Sequence, residues 1–253
     1  MRSSIIELMG DSAAGLEAAA PSAGGGRAAP RVIAVDGSAA SGKSTVGRRM
    51  AEKLGYPFLD TGLMYRAVTL TALDRGIDIT DQQALSRLAA EMHLEVGPPR
   101  AGSTETCAIS IDGVDVTSQL RRADVEDAVS LVSRVAGVRE ALVKQQREIA
   151  GRQVMVMAGR DIGTVVLPDA DLKVYLDASI SERARRRHAE FSKHGRSVTR
   201  EIVLEDLRRR DQIDSERSVS PLRPASDAVV IPTDGLTQDE VLAKVLSLVD
   251  GAS

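Results

Sequence analysis

Tryptophan is absent, and 253 residues carry two phenylalanines and three tyrosines. The length allows a substantial core, so that core must be aliphatic. A single cysteine, Cys107, excludes an internal disulfide and a multi-cysteine metal site. A reducing, cytoplasmic setting fits that usage. No apolar run reaches membrane-spanning length. No basic start followed by an apolar stretch marks a signal peptide. Positive charge is not in excess either. Lys and Arg number 33 against 36 Asp and Glu, a net charge of −3, which argues against a general nucleic-acid binder. The partners expected from these absences include neither nucleic acid nor membrane.

Residues 1–30 also lack a sustained core pattern. "AAGLEAAAPSAGGGRAAP" is rich in Ala, Gly and Pro, and "SSIIELM" supports at most a turn or two of helix. This composition buries too little apolar surface to offset ordering entropy, so the segment reads as a flexible tail. A targeting or partner-binding segment is the alternative.

What is present begins at Val32. In "VIAVDGSAASGKSTVGRRMAEKLG" an aliphatic, β-branched run leads into a small-residue turn, Gly37 to Gly42. From Lys43 the spacing is helical, with Val46, Met50, Ala51 and Leu54 on one side and Gly55 as the stop. Strand, Gly-rich turn and helix is the context a phosphate-binding loop requires. The turn (Gly37, Ser38, Ala39, Ala40, Ser41, Gly42) aims backbone N–H groups inward, and the helix N-terminus adds partial positive charge. In such a loop Lys43 reaches the β- and γ-phosphates, Ser44 offers its hydroxyl to Mg²⁺, and Thr45 follows in the first turn. The competing reading is a chance Gly-rich turn.

Further on, strands and helices alternate. "YPFLD" reads as a short strand, and helices are expected over "TGLMYRAVTLTALDRG" and over "TDQQALSRLAAEM", the latter capped by Thr80 or Asp81. Residues 94–116 alternate in short segments with Gly and Pro between them, which predicts a small antiparallel insert. "DVEDAVSLVSRVAGVREALVKQQREIAG" predicts helix with a break near Gly137. "QVMVMAGRD", "LKVYLDAS" and "DAVVIPTDG" read as strands, "ISERARRRHAEF" and "TREIVLEDLRRRDQIDSER" as charged helices, and "TQDEVLAKVLSLV" as a closing amphipathic helix. The pattern is α/β, a parallel sheet covered on both faces. Ligands of such sheets sit at the carboxyl ends of the strands. That rule gathers the Gly37 loop, Asp60 onward, Gly159 to Asp161 and the loop after Asp177 at one mouth.

Three constellations there admit two readings each. Asp60, Thr61, Tyr65 and Arg66 suit a second anionic molecule, or else a helix cap with a core tyrosine and a surface arginine. Arg160 and Asp161 suit a phosphate and a base amino group, or else form a surface pair in a tight turn. Arg210, Asp214 and Arg217 share one helical face at intervals of four and three. They suit a phosphoryl-transfer lid, which meets developing charge without water, whereas most arginines of both charged helices read as solvated faces.

Taken in order, "LDTGLMYR", "GRDIGTVVLPDADLKVYLDAS" and "RRRDQIDSERSVSPL" resemble the nucleoside monophosphate kinases, specifically the bacterial cytidylate kinases. The resemblance runs from about Arg31 to Val249. It implies a P-loop kinase fold with a five-stranded parallel sheet, a β-rich monophosphate-binding insert and a helical lid. The implied core is 31–60 and 152–253 of a domain spanning 31–253. The acceptor region is about 61–151, its β insert about 94–117, and the lid about 183–200. The implied reaction passes the γ-phosphoryl group of ATP, with Mg²⁺, to CMP or dCMP in a cytoplasmic monomer of pyrimidine nucleotide metabolism. Gly37 to Thr45 match the ATP loop, and Thr61 lies where the family has Ser or Thr near the acceptor, beside Tyr65. Arg66, Arg160 and Arg217 match arginines that hold the CMP phosphate. Ser130, Arg139 and Asp161 match the groups that recognise cytosine, and Arg210 and Asp214 the pair near the ribose. Arg183, Arg186 and Arg187 lie where the lid begins. Lys43, Arg160, Arg183, Arg187 and Arg217 are thereby implied as the catalytic charges.

The chain departs from that family at two positions in the site. Ser38 replaces a common Pro in the loop, which backbone binding tolerates. Ala158 stands where an acidic residue commonly precedes Gly-Arg-Asp. A carboxylate there is expected to lie near the phosphates and Mg²⁺, and Ala158 supplies none. An Asn-Lys-x-Asp base-reading motif and a Leu-Ser-Gly-Gly signature are both missing, which excludes a GTPase and a transporter-type ATPase. A P-loop kinase for another small acceptor, such as shikimate, stays open, as does a nucleotide-binding module with weakened catalysis.

Overall fold

The computed structural model describes residues 29–100, 107–193, 195–217 and 220–251. The tail expected over 1–30 lies outside the described residues except at Ala29 and Pro30, as do residues 101–106 of the β-rich segment.

Strand β1 (Val32–Gly37) leads through the Gly-rich turn into α1 (Lys43–Leu54), and β2 (Phe58–Asp60) runs directly into α2 (Thr61–Asp74). Helix α3 (Gln82–Glu91) is followed by the antiparallel strands β3 (Leu94–Gly97), β4 (Ala108–Ile111) and β5 (Val114–Asp115). Helices α4 (Ala123–Val132) and α5 (Ala136–Ala150) complete that half. The second half runs β6 (Met155–Gly159), β7 (Leu172–Asp177), α6 (Ile180–Lys193), α7 (Arg200–Ser215), β8 (Val229–Pro232) and α8 (Gln238–Gly251).

Five strands form one parallel sheet in the order β2-β6-β1-β7-β8. The register aligns Asp60 with Ala158, Asp36 with Gly159, and Gly37 with Leu176. Three carboxyl ends therefore open onto the same edge, where the topology puts a ligand. Alternation along each strand divides the aliphatic core in two. Ala34, Leu59, Met155 and Met157 face α2 and its neighbours. Ile33, Val35, Val156, Ala158 and Val174 face the other way, with Val46 and Met50 of α1 and Val241 and Val245 of α8. Helix α2 is buried around most of its circumference, which explains its nearly unbroken run of apolar and threonine residues.

Local signals account for most boundaries. Gly55 ends α1 in the left-handed region at φ 68°. Asp60 caps α2 by accepting from the Gly62 N–H at 3.0 Å, and Asp81 caps α3 through the N–H groups of Gln83 and Ala84. Asp112-Gly113, both at positive φ, make the two-residue turn between β4 and β5.

The helix break expected near Gly137 falls instead at Ser133–Val135, where Val135 is extended at ψ 121°. Gly137 lies inside α5, and a Cβ there would sit 2.3 Å from Ser86 Oγ and 2.5 Å from Ser86 Cβ of α3. Its role is close helix contact. Gly137→Ala is therefore expected to destabilise the protein by ~1–3 kcal/mol, the cost of overpacking, despite alanine's better helix propensity. An unchanged or raised Tm would contradict this.

Candidate active site

The phosphate loop joins β1 to α1. At Gly37 (φ 156°) any Cβ would lie 2.5 Å from the Leu176 carbonyl oxygen, so β1 and β7 approach here only around glycine. Ala40 is held at φ 61°, a left-handed conformation that costs a residue with a Cβ ~1–2 kcal/mol. No side chain caps α1, which leaves its first N–H groups available for an anion.

Lys43 is 6% exposed, and its Nζ donates to the Ser38 carbonyl at 3.1 Å. Burial, with the charge of Arg160 adding to it, pulls its pKa down to about 7. Asp36, on the preceding strand, accepts from the backbone N–H groups of Ile162 and Gly163 at 2.8 Å each. Burial raises its pKa to about 6 against the pull of those two donors. They open a π-type turn, Ile162–Val166, that follows Asp161 and that local sequence did not signal. One carboxylate thus ties the strand entering the phosphate loop to the segment after Arg160 and Asp161.

A cleft of about 680 Å³ runs from this loop across the sheet edge. Ala39, Ala40, Gly42, Lys43, Ser44 and Thr45 line one end, and Thr61, Tyr65, Arg66, Ser130, Arg139 and Asp161 the other. Arg160, Arg187, Arg210, Asp214 and Arg217 lie along it too. Gly37, Ser38 and Ser41 form the loop without lining the cleft.

At the far end Arg139 (2% exposed) pairs with Asp161 (4% exposed), and the Arg139 guanidinium carbon lies 5.4 Å from the Tyr65 ring centre. Arg139 also donates to the Ser133 carbonyl at 3.3 Å. The break between α4 and α5 exposes that carbonyl. Burial pushes the Tyr65 hydroxyl up to about 12, so it stays protonated. Thr61 donates its hydroxyl to the Ala158 carbonyl at 3.0 Å. Arg66 donates to the Leu120 carbonyl (3.1 Å) and pairs with Glu126 (2.9 Å), so it is not the surface arginine of the blander reading.

Arg160 and Asp161 do not pair with each other. Asp161 faces Arg139, while Arg160 Nε donates to Asp214 at 3.0 Å. Asp214 also pairs with Arg217, which donates to Ser133 Oγ at 3.1 Å. Arg217 lies beyond the end of α7 at Ser215, so the single helical face expected for Arg210, Asp214 and Arg217 ends before its third member. Asp214 bridges the two arginines instead.

Arg183 is the site residue that the structure moves furthest from expectation. It does not line the cleft. Its guanidinium donates to the carbonyls of Ala178 (3.0 Å) and Ala39 (3.3 Å) and pairs with Asp211 (2.6 Å). It anchors the phosphate loop to α6 and α7. Arg186 bridges in the same way, from the Ser41 carbonyl to Thr233, and also borders the cleft. The loop after Asp177 therefore reaches the site through α6. Arg121, Ser133, Arg185, Lys193 and Gln238 line the cleft without having been singled out from the sequence. Ser133 had a signal, since it follows Ser130 by three positions in a helical stretch.

Ala158 is fully buried among Val35, Val46, Met50 and their neighbours. It touches the site through its carbonyl, and its side chain faces the aliphatic layer under α1 and not the cleft, contrary to the expectation above. An aspartate at 158 would bury an unpaired carboxylate. Ala158→Asp is thus expected to lower Tm by several degrees, at ~2–4 °C per kcal/mol, with no gain in kcat. A ~10-fold rise in kcat, equivalent to 1.4 kcal/mol, would show that the carboxylate reaches the phosphates after all.

Among the described residues no group of three or more His, Cys, Asp and Glu side chains is placed to hold a metal ion, and no helix is long and apolar enough to cross a membrane. The Ser44 hydroxyl at the cleft wall fits Mg²⁺, which binds through few protein oxygens and takes the rest from phosphates and water.

The family model for cytidylate kinase matches residues 33–251. The chain belongs to the cytidylate kinase family. The curated cytidylate kinase of Bacillus licheniformis is 46% identical over 218 residues, covering 86% of this chain and 95% of that protein. That of Herpetosiphon aurantiacus is 46% identical, covering 87% and 94% respectively. A bifunctional pantoate ligase/cytidylate kinase of Synechococcus sp. is 47% identical over 91% of this chain, which spans 43% of that longer protein. The cytidylate kinase family match covers both ends of the cleft, the phosphate loop and the Arg139–Asp161 pair.

Proposed function

We propose that this protein transfers the γ-phosphoryl group of ATP to the phosphate of CMP or dCMP, giving CDP or dCDP. The observation that carries this reading is one cleft with a phosphate loop at one end and a buried Arg139–Asp161 pair at the other, with arginines between. Family membership supports the same acceptor.

The chemistry needs little covalent assistance. A phosphate oxygen of CMP attacks the γ-phosphorus of ATP. A new P–O bond forms, the bond to the β–γ bridging oxygen breaks, and ADP leaves with that electron pair. The attacking oxygen is already anionic, so no general base is required. The protein aligns two anions and offsets their repulsion. Lys43 and the α1 N-terminus meet the donor phosphates. Arg66, Arg160 and Arg217 hold the acceptor phosphate, and Arg187 meets the transferred group. Arg139, Asp161 and Ser130 read cytosine, and Arg210 and Asp214 lie toward the ribose. Arg183 acts by anchoring the loop. Ser44 would hold Mg²⁺, whose charge offsets the β- and γ-phosphate oxygens. In this reading residues about 61–151 form the acceptor region, about 183–200 the lid, and 1–30 a dispensable tail. In this reading the enzyme works as a monomer in the cytoplasm, a reducing setting that fits its single cysteine.

The test is transfer of label from [γ-³²P]ATP. Label is expected in the β-phosphate of CDP, dependent on added CMP. Bound nucleotide with label released solely as inorganic phosphate, or not at all, would overturn the reading.

One pH effect follows. Lys43, near pKa 7 in the ligand-free protein, is largely neutral at pH 8 and largely charged at pH 6. Bound phosphates favour its charged form. ATP binding is thus expected to take up a proton at Lys43 at pH 8 and almost none there at pH 6. Calorimetry in buffers of different ionisation heat measures this, with Lys43→Met as the reference lacking the group. Equal uptake by both proteins at pH 8 would contradict it.

A further inference from the structure

Glu126 of α4 is buried, yet no step above uses it. Its carboxylate collects arginines from three other parts of the chain. Arg66 of α2 pairs with Oε1 at 2.9 Å, Arg187 of α6 pairs with the same oxygen, and Arg196 of the α6–α7 connection reaches Oε2 at 3.3 Å. Arg210 of α7 donates to the Glu126 carbonyl at 2.9 Å. The guanidinium groups of Arg187 and Arg196 lie 4.6 and 4.3 Å from the Phe191 ring centre, so one aromatic ring steadies both. Arg66, Arg187 and Arg210 border the cleft, whereas Glu126 stands behind them.

Like charges this close repel, and the repulsion is strong where water is scarce. One anion at their centre offsets it and fixes where each fork points. Burial alone would raise the Glu126 pKa, but Arg187 and Arg66 outweigh it and hold the group at about 2. The anion is therefore present throughout the neutral range.

We infer that Glu126 is a positioning residue for phosphoryl transfer, whose carboxylate ties the lid arginines Arg187 and Arg196 to the acceptor-side Arg66 so that lid and acceptor region close as one unit. The inference rests on the kinase reading in assigning Arg66 and Arg187 to phosphates. Glu126 acts through these arginines and does not touch the reacting atoms. Its charge couples occupancy of the acceptor end to the lid over the donor end.

The test compares wild type with Glu126→Gln, which keeps the shape and loses the charge, and with Arg196→Met at the rim, where the arginine side chain is 41% exposed. In the ligand-free proteins, amide hydrogen exchange across 187–193 and 195–199 is expected to rise at least ~10-fold in both variants, while β1 and β6 keep their protection. With ATP and CMP, Glu126→Gln is expected to lower kcat at least ~10-fold with KM for ATP within about 3-fold of wild type, the pattern of lost transition-state interactions. Unchanged lid exchange in both variants, or equal acceleration in the lid and in β1 and β6, would overturn the inference. If Glu126→Gln does not fold, Arg196→Met decides by the same exchange measurement. The exchange readout needs no substrate. Failure of wild type to phosphorylate CMP would therefore count against the kinase reading, and the exchange result would still decide the role of Glu126.

Discussion

Lys43→Met should lower kcat by at least ~10²-fold, the scale of losing one preorganised charge at a developing anion, while the ligand-free protein keeps or gains thermal stability. The two effects share one cause. Lys43 is buried near Arg160, and among the described residues no carboxylate forms an ion pair with it; burial and the Arg160 charge outweigh the pull of Asp60, Asp214 and Asp36, so its pKa falls to about 7. The sign follows from linkage. Between pH 7 and 10.5 the unfolded chain binds a proton at Lys43 that the folded chain does not. Folding is thus disfavoured as pH falls through that window, and Met removes the penalty. Bound phosphates reverse the balance, because they supply the counter-charge. ATP should accordingly raise Tm less in the variant than in wild type. Near-normal kcat in folded Lys43→Met would remove Lys43 from the mechanism. A large fall in ligand-free Tm would show that the lysine stabilises the loop.

Asp161→Ala should both unfold the protein more easily and blunt its choice of acceptor. Arg139 and Asp161 are sealed against each other, and removing one partner of such a pair strands the other at a cost of ~3–5 kcal/mol. For a domain of this size that is a fall in Tm of roughly 10 °C. Asp161→Asn keeps the volume and one acceptor, so it should fold and isolate the functional loss. With either variant the kcat/KM for CMP should fall by ~10–10² or more, the value of one or two buried hydrogen bonds to a base edge. KM for ATP should move little, since the phosphate loop lies at the other end of the cleft. Equal losses for CMP and ATP would make Asp161 structural.

The parts legible in the sequence are those set by neighbours along the chain. Gly37 to Ser44 between an aliphatic strand and an apolar helical stripe announces a phosphate loop, and alternation marked the insert that becomes β3, β4 and β5. Parallel strands ending at Asp60, Gly159 and Gly37 brought their loops together by topology alone. What escaped depends on contacts across the fold. Gly137 looked like a breaker, but its meaning lies in Ser86. Arg183 looked like one more lid arginine, but Ala39 and Asp211 take it. Ala158 appeared to point at the phosphates, but strand alternation turned it into the aliphatic layer. Glu126 sat unremarked in "DVEDAV", because nothing local reveals that arginines 60, 61 and 70 positions away converge on it.

This cleft should select a cytidine monophosphate as phosphoryl acceptor, and a panel of acceptors measures that selection. ADP formation would be followed with CMP, dCMP, UMP, AMP and shikimate at fixed ATP and Mg²⁺. The kcat/KM for CMP or dCMP is expected to exceed that for AMP and shikimate by at least ~10²-fold, as a site with buried base-reading groups should discriminate. Turnover of AMP or shikimate at a rate equal to or above that of both CMP and dCMP would contradict it.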